Sequence, residues 1–166
     1  MFNDVFDIEQ TWQPLGVPYF LEQGIRAGAG LTLLPGTQLV FDSGRELQVS
    51  STGFLNAIGT AAEPIVFTGA VPVAGFWQGI DFRFSTSPFN QMDHVVVQYG
   101  GEGQPGNNGN IELACSGGSF SRLELGNAQI LDSSSWGIFL AAGDCELILG
   151  ENVSGGRNAS GFINMF

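Results

Sequence analysis

Asp81 and Arg83 alternate along the run Gly79-Ile80-Asp81-Phe82-Arg83, and Asp93-His94 follow one unit later. Side chains two apart on a strand share a face. Asp81 and Arg83 therefore stand together, and His94, the single histidine, joins them if successive strands stack in register. A carboxylate, a guanidinium and an imidazole on one face are the smallest set that could move protons on a substrate. The set is sparse, because the carboxylates are scattered singly and no Asp-Asp pair occurs. Solvated outer-face charge is the competing reading of these residues, and the favoured one.

The run Gly100-Gly101-Glu102-Gly103-Gln104-Pro105-Gly106-Asn107-Asn108-Gly109-Asn110 is the strongest loop signal. Glu102, Asn107 and Asn108, with backbone carbonyls, could hold Ca²⁺, although one carboxylate is a poor start for a hard cation. A corner loop is the alternative, and no other cofactor is expected. Trp77, Tyr99 and Trp136 could form a stacking platform for sugar rings. Trp77 and Trp136 each come shortly before a Gly-Ile step, which favours corner packing instead. No Walker, H-E-x-x-H or G-x-S-x-G pattern is present.

In the chain that carries these residues, 25 of 166 positions are glycine and only 13% are charged. The five cations are all arginines, and the net charge is −11. Nucleic acid is disfavoured, since phosphate recognition needs clustered Lys and Arg. No apolar stretch is long enough for a spanning helix, so membrane insertion is not expected. Residues 1–7 are acidic and do not read as a signal peptide, so a signal would lie outside this chain. Cys115 and Cys145 form no metal motif.

Helical periodicity is nearly absent. Short β-rich runs recur instead, among them residues 31–34, 38–41, 46–49, 64–68, 79–82, 94–99, 110–113, 122–125, 137–140 and 145–149. Several alternate plainly, as in Glu46-Leu47-Gln48-Val49 and Ile111-Glu112-Leu113. Asn108-Gly109 is the one hairpin dipeptide, which speaks against a meander of hairpins. Similar units return along the chain at Leu31, Leu47 and Ile65, then at Ile80, Ile111, Ile138 and Phe162. These features predict an all-β parallel solenoid over 25–166, closed by an N-terminal cap over 1–24. Its core would be a column including Leu47, Val49, Ile80, Phe82, Ile111, Leu113, Ile138 and Leu140.

Four segments, in order, sharpen that expectation. Leu31-Thr32-Leu33-Leu34-Pro35-Gly36-Thr37-Gln38-Leu39-Val40-Phe41 resembles the opening of bacterial right-handed parallel β-helix surface proteins. Gly59-Thr60-Ala61-Ala62-Glu63-Pro64-Ile65-Val66-Phe67-Thr68, then Phe76-Trp77-Gln78-Gly79-Ile80-Asp81-Phe82, then His94-Val95-Val96-Val97-Gln98-Tyr99-Gly100-Gly101 are similar to that family's next segments. The resemblance covers residues 12–101 and implies a right-handed, pectin-lyase-like β-helix that is secreted or displayed on a cell surface. Enzymes on that fold use clustered Asp for Ca²⁺ with an Arg or Lys base, or several Asp with a His. The resemblance itself does not imply an enzyme.

Two functions follow as expectations. One is a non-catalytic extracellular or cell-surface module serving adhesion, matrix or structural assembly. The other is a carbohydrate-binding module or a diverged polysaccharide lyase or hydrolase, with glycans as partners. Three convergent carboxylates or stacked rings along an outer groove would support the second. Aligning Ile111 with Ile138 sets Cys115 opposite Ala142, which predicts two unpaired, at least partly buried thiols. Phe162, Ile163 and Phe166 end the chain as an apolar rung. They are expected to carry self-association, or to meet further coils of a longer chain.

Overall fold

The computed structural model describes residues 4–103 and 108–164. Its first nine strands are β1 (Asp4–Phe6), β2 (Gln10–Trp12), β3 (Tyr19–Leu21), β4 (Ile25–Ala27), β5 (Gly30–Leu33), β6 (Gln38–Phe41), β7 (Glu46–Val49), β8 (Phe54–Ile58) and β9 (Ile65–Gly69). The remainder are β10 (Gly79–Arg83), β11 (Gln91–Gln98), β12 (Gly109–Ala114), β13 (Arg122–Leu131), β14 (Trp136–Leu140), β15 (Glu146–Leu149), β16 (Ser154–Gly156) and β17 (Gly161–Ile163). No helix of the described residues is long and apolar enough to cross a membrane.

All pairings between named strands are parallel, and they build two sheets. One has seven strands in the order β1-β4-β7-β10-β12-β14-β17. The other has ten, running β2-β5-β8-β11-β9-β6-β3, with β13, β15 and β16 joined beyond β11. This second sheet turns back on itself at β11, whose first half pairs with β8 and whose second half pairs with β9. It curls into a half-barrel against the seven-stranded sheet.

The expected right-handed parallel β-helix is corrected by this arrangement. A solenoid of like rungs needs each strand to stack on its counterpart in the next coil, and the units at Leu31, Leu47 and Ile65, taken as successive rungs, do not, although Leu47, Ile80, Ile111 and Ile138 do stack in the seven-stranded sheet. Leu31 pairs with Leu55 in the ten-stranded sheet, while Leu47 pairs with Ile25 and Ile80 in the seven-stranded one. Long strands bent at left-handed residues, His94 in β11 and Asn127 in β13, also replace what earlier segments build from two short strands. The expected N-terminal cap is corrected too, since β1, β2 and β3 pair with β4, β5 and β6 as members of the sheets.

Between the sheets lies one apolar core. Alternation drives it: in β7 and β10, Leu47, Val49, Ile80 and Phe82 point inward and are at most 1% exposed, while Gln48, Asp81 and Arg83 take the other parity. Ile111, Leu113 and Ile138 continue the column, and Leu140 lies half-buried against it. At one end Trp12 stacks on Tyr19, ring centres 4.8 Å apart, with Phe6 set edge-on to Trp12. At the other end Phe162 and Ile163 pack on the core from the edge strand β17. Phe166 lies outside the described residues.

Buried asparagines tie the corners together. Asn110 donates to the Leu131 carbonyl at 2.7 Å and accepts from the Gly100 amide at 2.7 Å. Asn90 likewise accepts from the Leu55 amide at 3.1 Å and donates to Ser85 Oγ at 2.8 Å. Each satisfies backbone groups that the turning chain leaves without ladder partners.

Candidate functional site

Asp81 sits at the centre of the outer face of the seven-stranded sheet. Parallel register places it opposite Gln48 of β7 on one side and Glu112 of β12 on the other, with Glu46 opposite Gly79. Arg83, two residues along the same strand, donates from Nε to Asp81 Oδ2 at 2.5 Å. Gly79 adopts φ +121°, and a Cβ there would meet the Gly109 carbonyl at 2.6 Å, so only glycine lets β10 and β12 approach this closely. The result is a shallow pocket of about 80 Å³ over Asp81, with Glu46, Arg83, Glu102, Asn108 and Glu112 around it.

Burial, then the Asp81 charge, raises the Glu112 carboxyl to about 7, with Glu46 adding to the effect and Arg83 opposing it. Glu46 is raised for the same two leading reasons. For Asp81 burial is also the largest influence and outweighs the Arg83 bond and charge, so its carboxyl is raised. Burial would lower Arg83, but its bond and charge pairing with Asp81 raise it. The pair thus favours the guanidinium charge, while the buried carboxylates repel one another without a full counter-charge.

Asp81 is 5% exposed and Asn108 8% exposed, and among the described residues neither Asp81 Oδ1 nor Asn108 Oδ1 has a hydrogen bond of good geometry. A side-chain hydrogen bond from Gln48 also favours ionised Asp81. The orientation of Asn108 is set by its Nδ2, which donates to the Glu102 carbonyl at 2.7 Å.

Asp81, Arg83, Glu102 and Asn108, which the sequence suggested for two separate chemistries, thus converge on one pocket. His94 does not join them. It lies on β11 in the other sheet, where it takes φ 48° beside Asn127 at φ 42° and Asn152 at φ 54°. Asp93 Oδ1 accepts from the His94 amide at 2.8 Å and from Asn127 Nδ2 at 2.9 Å, and His94 Nδ1 lies 3.1 Å from it. Asn152 donates to Asn127 in turn. His94 is one step in a stack of left-handed residues at a bend. A larger pocket of about 350 Å³ borders this stack. Its polar groups already bond each other, as in Asp93 with Asn127 and Gln91 with Glu124.

The candidate aromatic platform, already less favoured than corner packing, is not assembled. Trp77 is fully buried, stacked on Phe41 with ring centres 4.2 Å apart, and its Nε1 donates to the Gln98 carbonyl. Tyr99 and Trp136 are half-buried, Tyr99 against the core and the Trp136 ring over Gly161. Among the described residues no group of three or more His, Cys, Asp or Glu is arranged to hold a metal ion. Asn107, the remaining candidate ligand, lies outside those residues.

The prediction of two free thiols is also overturned. Cys115 and Cys145 form a disulfide with Cα atoms 5.6 Å apart. The register that set Cys115 opposite Ala142 stops where β12 and β14 stop, at Ala114 and Leu140. Past that point a Ser116–Ser119 bridge and a turn from Ala142 to Cys145 redirect both segments.

Glu46 and Glu112 were read only as alternating strand residues. Their signal was in the spacing, since aligning Gly79-Ile80 with Asn110-Ile111 places Glu112 opposite Asp81. No protein-family model matches the chain. No curated protein and no solved structure matches it either.

Proposed function

We propose that the protein is a non-catalytic extracellular module that adheres to a glycan through the pocket over Asp81. The observation carrying this reading is that Asp81 and Asn108, each with a buried acceptor oxygen left without a hydrogen bond of good geometry among the described residues, both line one surface pocket. Buried polar atoms are nearly always bonded, and a polyhydroxylated ligand brings the missing donors. Three acidic residues, Glu46, Asp81 and Glu112, border the same pocket. Phe139, opposite Glu112 on β14, offers an apolar surface beside the polar one for the C–H face of a sugar. The Cys115–Cys145 disulfide supports an oxidising, extracellular setting.

A glycan array followed by calorimetric titration tests this. Binding of a saccharide class is expected, and Asn108→Leu should weaken it while circular dichroism stays unchanged. A wild-type protein that binds no saccharide on a broad array overturns the reading.

A further inference from the structure

We infer that one half of the ten-stranded sheet is a two-fold contact surface for a second copy of this chain. The surface is the outer side of β3, β6, β9 and β16, with residues 95–98 of β11 and 128–131 of β13 between them.

The absence of charge gives the first reason. None of these six segments contains Asp, Glu, Arg, Lys or His. The remaining strands carry charge outward, as at Arg26, Glu46 and Glu112 in the seven-stranded sheet. Asp93, Glu124 and Glu146 do the same on the other half of the ten-stranded one. A chain of net charge −11 repels its own copies where such faces meet. On the uncharged half, two copies meet without setting carboxylate against carboxylate.

The order of the side chains gives the second. Parallel register lines up two outward rows across the strands. The first runs Gln38, Val66, Val96, Gln129, and reads the same from either end. A two-fold axis parallel to the strands, between β9 and β11, lays Val66 on Val96 of the second copy and Gln38 on its Gln129. A primary amide both donates and accepts, so the facing glutamines can bond one another.

The second row starts with Phe20, Val40 and Thr68. Gln98 follows, its Nε2 donating to Thr68 Oγ1 at 3.2 Å, and Leu131 and Gly156 complete it. The same axis sets Thr68 against Gln98, Val40 against Leu131, and the exposed Phe20 ring over Gly156. Polar meets polar, aliphatic meets aliphatic, and the largest side chain meets the residue that has none. An isologous contact requires that self-complementarity.

Extent sets the strength. Six strands spaced at about 4.8 Å span roughly 24 Å, so each copy buries less than the ~800 Å² per partner of a standard interface. The dimer is therefore weak, with a Kd on the order of 100 μM. The pocket over Asp81 lies on the other sheet and stays open in it.

The test is sedimentation equilibrium of the whole chain from about 5 μM to about 1 mM, comparing wild type with Val96→Glu, Gln129→Glu and Thr32→Glu. Val96 and Gln129 stand on the uncharged half, and Thr32 stands outward on β5 in the other. Each substitution adds one negative charge outside the core, so a general charge effect moves all three alike. Wild type should dimerise, and Val96→Glu and Gln129→Glu should each weaken the dimer about tenfold or more. Thr32→Glu should leave it within about threefold of wild type. Gln129 is exposed, which keeps the test decisive if Val96→Glu does not fold. A wild type still monomeric at the highest concentration overturns the inference, as does a dimer untouched by the folded face variants. Equal weakening by all three variants overturns it too, because net charge alone then sets association. Species larger than a dimer overturn the two-fold axis.

Discussion

Asp81 and Glu112 are register partners on neighbouring parallel strands, and both side chains stand on the outer face of the seven-stranded sheet. Like charges so placed oppose folding, and the Glu112 carboxyl rises from 4.5 to about 7. Between those values the folded chain keeps a proton that the unfolded chain releases. Stability from this group is therefore lost as pH rises through the window and is lowest above 7. Glu112→Gln should stabilise the protein at pH 8, by roughly 1–3 kcal/mol after allowing for partial exposure. At pH 4.5 the gain should vanish. Urea unfolding at the two pH values checks this, and an unchanged midpoint at pH 8 contradicts it.

Removing the Cys115–Cys145 link frees a loop of sequence separation 30. Chain-entropy arguments put the cost of losing such a link at about 3–4 kcal/mol. The double variant Cys115→Ala, Cys145→Ala should unfold at correspondingly lower urea. Unreduced wild type should take up no iodoacetamide after denaturation, and alkylation at either residue would refute the bond.

Gly53 is buried where β8 begins, and a Cβ there would lie 2.2 Å from the Ala27 carbonyl and 2.6 Å from that of Ala29. Both are backbone atoms of the neighbouring segment and cannot rotate aside. Gly53→Ala should cost about 1–3 kcal/mol or more, read as a fall in thermal midpoint. A neutral result would mean that β4 and β8 are less closely apposed.

His94 is held in the left-handed region by its neighbours in the stack, so what its position requires is conformational tolerance. His94→Asn should be nearly neutral, as Asn accepts that region well. His94→Val should cost on the order of 1–3 kcal/mol, because a β-branched residue there is strained. Glycan binding by either folded variant should match wild type; a loss would restore His94 to the site.

Most strands were legible because alternation is local. Leu47, Val49, Ile80 and Phe82 announce an inward column in the residues themselves. The way the strands assemble was not, since pairing Leu47 with Ile80 but Leu31 with Leu55 depends on which sheet each strand joins. β4 and β8 escaped notice, since Ile25-Arg26-Ala27 and Phe54-Leu55-Asn56-Ala57-Ile58 are short or weakly patterned. In the site, Asp81 with Arg83 followed from period two. Joining them to Glu102 and Asn108 required the chain to turn back between β11 and β12, and composition does not encode that. The disulfide was missed because strand register was extended beyond the ends of the strands.

The most direct test of the central claim is a map of backbone amide shifts as a saccharide of the class bound on the array is titrated into isotope-labelled protein. The account predicts that the largest changes fall on residues 46–48, 79–83 and 108–112, with residues 91–94 and 124–127 unmoved. Shifts centred on the Asp93–Asn127 pocket, or spread evenly over the acidic surface, would contradict it.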